Sequence, residues 1–264
     1  MHPFHHSPSR AFLALFVALC AASAQTAPLN DTGITLCGGY PDGNTPAPCT
    51  PNPAGQDADY GRDAAAQAGV LTKIGGSADA ANGFDFTKIA NDGTALPASA
   101  VLGTNPGDWA CTRDNVTGRV WEVKLDDTLQ TRHRGHAYTW YDPASPDGNP
   151  GTIGDTTTCN ATLGLSECNT SNYVSAVNAA ALCGFNDWRM PTVKELEGIA
   201  DRNRTNPAID PDYFPNSPSS GFWSGSPFAY DSSFAWVVSF SQGSGGMGDR
   251  SSDISRVRLV RGGQ

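Results

Sequence analysis

The feature that most restricts this fold is a set of six cysteines lying behind an export signal. Arg10 supplies a positive end, Ala11 to Ala22 form an apolar run, and Ala22-Ser23-Ala24 offers small residues for cleavage, so residues 1–24 read as a signal peptide. The run is too short for a spanning helix, which needs about 20 apolar residues. Lipid attachment at Cys20 is disfavoured by the bulky Leu19 before it. Cleavage leaves Cys37, Cys49, Cys111, Cys159, Cys168 and Cys183. An even number of cysteines in an oxidising compartment implies disulfides. Nearness along the chain favours Cys37–Cys49 and Cys159–Cys168, which leaves Cys111–Cys183. Zinc is the competing use of such residues. It is disfavoured because no CxxC pair exists and only His133 and His136 remain after the signal.

The mature chain then divides by texture. Residues 25–105 read as an irregular, acidic N-terminal arm rich in Gly, Pro, Asp and Asn. Asp57, Asp59 and Asp63 surround Tyr60-Gly61, an oxygen-rich turn that is either a weak calcium candidate or a solvated loop. Residues 106–264 read as a second, more regular domain. Arg119 to Leu125 alternates apolar and polar residues, which predicts a half-buried strand. Val174, Val177 and Ala181 recur at helical spacing from Ser171, with Gly184 as a C-terminal cap. Thr192 and Glu195 form a capping box ahead of Leu196, Ile199 and Ala200. The pattern as a whole predicts an α+β fold, with two helices on small antiparallel sheets, loop-rich and disulfide-bonded.

Function classes fall away in turn. The net charge of −9 argues against nucleic acid, whose phosphates need a cationic footprint. No GxSxG elbow, Walker loop or HExxH motif is present. A GxGxxG match at Gly243, Gly245 and Gly248 lacks the helix and strand that a dinucleotide needs after it. His133 and His136 could serve as base or ligand near Glu122, or simply decorate a loop. The last 46 residues are the unusual part, with 12 Ser, 8 Gly, 7 aromatics and no Lys or Glu. A linker would not space aromatics in alternation. Strands are expected at about 221–226, 234–241 and 256–261. Trp236, Val238 and Phe240 would turn to the core, with Val237, Ser239 and Ser241 on the opposite, solvent-facing side.

Three strings together resemble the Lcl C-terminal domain family: Cys111-Thr-Arg-Asp-Asn-Val-Thr-Gly-Arg-Val-Trp-Glu-Val-Lys124, Leu182-Cys-Gly-Phe-Asn-Asp-Trp-Arg-Met-Pro-Thr192, and Val257-Arg-Leu-Val-Arg-Gly-Gly263. The resemblance implies a C-type-lectin-like fold, export to the periplasm, cell surface or medium, and ligand binding without catalysis or a required cofactor. The adhesin that typifies the family is associated with sulfated glycosaminoglycans. The acidity of this chain opposes a polyanion, and the EPN and QPD tripeptides of calcium-dependent lectins are absent.

The tail also resembles the variable region of diversity-generating retroelement target proteins, in which altered adenines of Asn codons yield Ser, Gly, Asp, Tyr or Phe. That likeness implies a binding set of Phe228, Tyr230, Asp231, Ser233, Phe234, Val237, Ser239, Ser241, Ser244, Gly246, Asp249, Ser251, Ser252, Asp253 and Ser255, spanning about 225–256. Trp223, Pro227, Trp236, Val238, Phe240 and Arg250 match the fixed frame. Phe228, Tyr230 and Phe234 would be aromatic anchors, and Asp231, Asp249 and Asp253 polar selectors. The implied partner is a protein or glycan on another cell or phage surface. The competing expectation is a carbohydrate-binding adhesin of the same fold with constant specificity. Collagen-associated relatives imply that the chain can oligomerise.

Overall fold

The computed structural model describes residues 28–39, 45–49 and 54–262. The signal peptide expected at 1–24 lies outside them. All three expected disulfides are formed: Cys37–Cys49, Cys111–Cys183 and Cys159–Cys168.

In the arm, β1 (Cys37–Gly38) and β2 (Pro46–Ala47) make a small ribbon closed by Cys37–Cys49. A short helix, α1 (Gly61–Gln67), follows. Then come β3 (Phe86–Ala90), β4 (Ala95–Leu96), β5 (Trp109–Asp114) and β6 (Val120–Glu122). Beyond them lie β7 (Tyr138–Thr139), α2 (Thr170–Ala179), α3 (Val193–Glu197), β8 (Gly221–Pro227) and β9 (Phe234–Ser239). The chain closes with β10 (Ser244–Asp249), β11 (Ile254–Ser255) and β12 (Val260–Arg261).

The larger antiparallel sheet has the order β12-β6-β5-β3-β4. The arm therefore supplies two of its five strands, and the division expected near residue 105 runs through one sheet. β6 is paired on both edges, by β12 and β5, and its two faces are covered by separate cores, which Val120 and Trp121 enter in turn. Val120, Trp121 and Glu122 are all buried, which corrects the half-buried strand expected there. Glu122 is held by Lys124 Nζ (2.6 Å), the Tyr173 hydroxyl (2.5 Å) and the Leu259 amide (2.9 Å). A buried carboxylate is tolerated where a cation and further donors meet both of its oxygens in this way.

Both helices follow their capping chemistry. The Asn169 side chain accepts the Asn172 amide at 2.8 Å and starts α2. The helix stops at Ala179, earlier than the apolar spacing implied. A tight turn at Leu182–Gly184 then carries Cys183 to Cys111. In α3 the capping box forms as expected: Thr192 Oγ1 accepts the Glu195 amide, and Glu195 accepts the Thr192 amide at 2.8 Å. No helix among the described residues is long and apolar enough to cross a membrane.

The smaller sheet, in the order β10-β9-β8, stands between two cores. Side chains alternate along a strand, so Trp223 and Ala235 enter one core, with Trp140, Trp188 and two disulfides. Phe222, Val238 and Phe240 enter the other, with Trp121, Phe84 and Phe86.

Candidate functional site

The sequence read 242–255 as loop, yet Ser244–Asp249 pairs along the whole of β9. Ser-Gly-Gly-Met-Gly-Asp carries no apolar alternation. Its place is set by backbone pairing and by glycine at close approaches. A Cβ on Gly248 would lie 2.5 Å from the Trp223 ring, so only glycine lets the strand rest there. Pairing sets Ser244 opposite Ser239 and Gly246 opposite Val237. These four candidates share one sheet face. Gly245 lies opposite Val238, and Met247 opposite Trp236, on the other face. The alternation read in β9 thus extends across the sheet into a strand that was not foreseen.

The candidate face is less open than expected. Ser244 and Gly246 are exposed, but Val237, Ser239 and Ser241 are half-buried. Val237 packs against the Trp223 core, and the Ser239 and Ser241 hydroxyls meet at 3.0 Å. On the frame side Phe240 and Val238 are buried as expected. Trp236 is only half-buried, and Phe228, itself half-buried, meets it edge-on at 5.2 Å.

At the far end of the hairpin, two loops come together. Tyr230 is 94% exposed, and Asp231, Ser233, Ser251, Ser252 and Asp253 are exposed with it. Each acid uses one oxygen on its own loop. Asp231 accepts the Ser233 amide, Asp249 accepts the Ser251 amide and hydroxyl, and Asp253 accepts the Asp249 amide. Hydrogen bonds from Ser251 hold the Asp249 carboxyl below its usual range.

Arg250 joins these loops to a third. Its guanidinium, buried at 1% exposure, donates to the Phe234 carbonyl (3.0 Å), the Asn149 carbonyl (2.8 Å) and both Asp147 oxygens (3.2 and 2.7 Å). It lies 4.0 Å over the Trp140 ring. Asn149 Nδ2 adds a bond to the Ser232 carbonyl at 2.8 Å. A cleft of ≈ 240 Å³ opens where Asn149, Gly151 and Thr152 face Ser233, Asp249 and Ser251. Sequence reasoning placed Arg250 in the frame but missed Asp147 and Asn149. A loop rich in Asp, Gly and Pro gave no sign of its partner a hundred residues on.

The fifteen candidates therefore form two groups. Phe234 to Ser239 spans about 17 Å at ~3.3 Å per residue, with Ser239, Ser241 and Ser244 at one end and the exposed loops at the other. Three assignments are corrected. Phe228 and Phe234 are half-buried, which leaves Tyr230 as the open aromatic. Phe234 and Asp249 pair with each other on the Trp236 face, not the Val237 face. Ser255 pairs with Tyr138 in a separate ribbon of β11 and β7 and is half-buried.

The acidic turn is also rearranged. Asp57 and Asp63 meet Asp31, all within 4.8 Å. Asp59 turns away to accept the Gly55 and Gln56 amides. Asp63 accepts amides from Gly33 and Gly83, and burial pushes its carboxyl up to about 6. Asp31 accepts the Asp63 amide at 2.9 Å. These bonds tie the arm together through the same oxygens that a cation would use. The His133 and His136 rings meet edge-on at 4.8 Å, and Glu122, locked in its own network, does not join them.

The Lcl C-terminal domain family model matches residues 110–261, and the chain belongs to that family. No curated protein matches the chain.

Proposed function

We propose that this member of the Lcl C-terminal domain family is an exported binding protein of C-type-lectin-like type. Its ligand surface is the β9–β10 hairpin with the loops at 228–233 and 250–255, and a diversity-generating retroelement varies that surface. One observation carries this reading. Eight of the positions that an Asn-codon template would randomise (Tyr230, Asp231, Ser233, Ser244, Gly246, Ser251, Ser252 and Asp253) are exposed on β10 or in the loops beside it, none of the fifteen is fully buried, and Val238, Phe240 and Arg250 of the frame are buried. A fastened scaffold with a changeable face is what tolerates substitution without loss of fold, since exposed positions cost little when replaced.

The surface chemistry supports a neutral or basic partner. Asp231 and Asp253 are exposed, and the nearest buried cation, Arg250, is neutralised by Asp147. Tyr230 supplies rigid contact area, and the serines supply adaptable hydrogen bonds. On this reading the chain acts by binding rather than catalysis, and the six cysteines that follow the signal, all bridged, serve the scaffold.

The decisive experiment is sequencing of the adjoining DNA. The reading requires a near-copy of the segment encoding about 225–263, differing mainly at template adenines, beside a reverse transcriptase gene. Absence of that repeat refutes diversification and leaves the constant-specificity adhesin. That second reading predicts glycan-array binding that survives replacement of Tyr230 and Ser244.

A further inference from the structure

β10 stands at the end of the order β10-β9-β8 and pairs with β9 in unbroken register over Ser244–Asp249. In an antiparallel ladder, alternate residues turn their backbone groups toward the neighbour and away from it. The Asp249 amide donates to Asp253 Oδ2 (2.8 Å) and its carbonyl accepts the Asp253 amide (2.9 Å), so Asp249 faces away from β9. Gly245 and Met247 share that phase, and their backbone groups have no hydrogen-bond partner among the described residues. The other sheet edges are short or covered. β1, β2, β4, β7, β11 and β12 have two residues each, and the outer side of β8 is bonded to Arg256 through Gly221 and Trp223. Exposed edges are commonly blunted by Lys, Pro or a bulge. Ser-Gly-Gly-Met-Gly-Asp has none of these.

The side chains along this edge define what it can take. Gly245, Met247 and Asp249 share one face of the sheet. Met247 is 57% exposed and lies outside the fifteen candidate positions. A Cβ on Gly245 would lie 2.8 Å from Glu197 Oε1, so that carboxylate overhangs the strand. Glu197 forms no ion pair among the described residues. At the other end stand Asp249 and Asp253, each holding its own loop by one oxygen. The free run is thus an apolar side chain between acids, with its ends roughly 13 Å apart along the strand. Arg202 lies beyond it, its Nε donating to the Gly243 carbonyl at 3.3 Å.

We infer that β10 docks an extended, basic peptide segment as an added strand, with cations at positions i and i+4 and an apolar residue at i+2. Residues two apart on a strand share a face, so these three side chains meet Glu197, Met247 and the Asp249–Asp253 pair together. Main-chain bonds to Gly245 and Met247 supply the docking, and the three side-chain contacts supply the selection. The pattern reads alike in both chain directions. A second copy of this chain does not match it. Two-fold pairing of β10 with itself about Met247 sets each Asp249 opposite the other copy's Gly245, beneath Glu197, and like charges facing across strands destabilise a pair. The inference rests on the hairpin being the binding surface and adds the class of partner and the mode of its attachment.

The test is calorimetry on the mature chain with the end-capped peptide Thr-Lys-Thr-Val-Thr-Lys-Thr. Saturable binding is expected, weakening as salt is raised. The peptide with Glu for both Lys should bind about tenfold more weakly or less. N-methylation of alternate residues should abolish binding in one phase and spare it in the other, because only every second N–H of an added strand meets β10. Met247→Pro removes an outward N–H that β9 does not use, at an edge where proline is tolerated; it should abolish peptide binding while the chain keeps its cooperative melting. Glu197→Gln should weaken binding by about threefold. No saturable binding of the basic peptide overturns the inference. So does equal binding of the acidic peptide, or indifference to the phase of methylation. A dimer of the free chain in sedimentation that Met247→Pro dissolves assigns the edge to a second copy and overturns it as well. Each of these failures leaves the genomic test of the proposed function standing, and absence of the DNA repeat leaves the peptide binding expected here unchanged.

Discussion

Asp147→Asn tests whether one buried arginine organises the proposed binding face. Arg250 is buried at 1% exposure, and four of its hydrogen bonds bind three loops, two of them to Asp147. Removing one partner of a fully buried pair costs about 3–5 kcal/mol, because a charge is left uncompensated. The Asp147 side chain is 24% exposed, so water screens the pair, and Asn keeps one acceptor. The expected loss is therefore about 1.5–3 kcal/mol. In urea unfolding this moves the midpoint by roughly 0.5–1.5 M at ordinary m values. The pH dependence gives an independent check. A hydrogen bond from Arg250 holds the Asp147 carboxyl well below the usual range. Stability from a depressed carboxylate is present above its unfolded pKa, near 3.9, and is lost as pH falls through the folded value. The gap between wild type and variant should stay constant from pH 5 to 7 and close below about pH 4. Equal midpoints at pH 7, or a gap indifferent to acid, would refute the reasoning.

Other outcomes follow from the same structure. Ser244→Tyr, on the open face, should change stability by no more than ~0.5 kcal/mol, whereas Phe240→Ala in the core should cost about 3–5 kcal/mol; chemical denaturation of both variants reads this directly. Paired Cys→Ser replacement at Cys111–Cys183, which closes a separation of 72 residues, should cost about 4 kcal/mol. The separation of 9 at Cys159–Cys168 predicts about 2.5 kcal/mol, and the reverse ranking in calorimetry would contradict the loop-entropy account. Asp63, raised by burial to about 6 from 3.8, binds a proton more tightly folded than unfolded. Stability should thus fall as pH rises from about 4 to 6 and level off above that window. Asp63→Asn should flatten that part of the melting-temperature profile, and an unchanged slope would count against it.

What the sequence made legible was local or covalent. The Thr192–Glu195 capping box needs only four residues to operate, and it forms as read. The disulfides follow from parity and nearness. What escaped was long-range. β10 could not be foreseen because a Gly-rich edge strand takes its conformation from β9, not from its own side chains. Trp236 alternates in step with Val238 and Phe240, yet it is half-buried against Phe228 and does not join their core, so periodicity gave its face but not its depth. Asp59 and Asp63 are equally acidic in sequence. Only the fold shows that one caps a turn while the other is buried with Asp31.

Because β3 from the arm is hydrogen-bonded along β5, the segment ahead of residue 106 is part of the finished sheet. A fragment begun at that point would leave the backbone donors and acceptors of β5 bare along one side, a template for chain-to-chain addition. Such a truncation should express as soluble aggregate or inclusion bodies, however well its outer loops are preserved. Libraries that vary the hairpin are best displayed on the chain with its N-terminal strands intact.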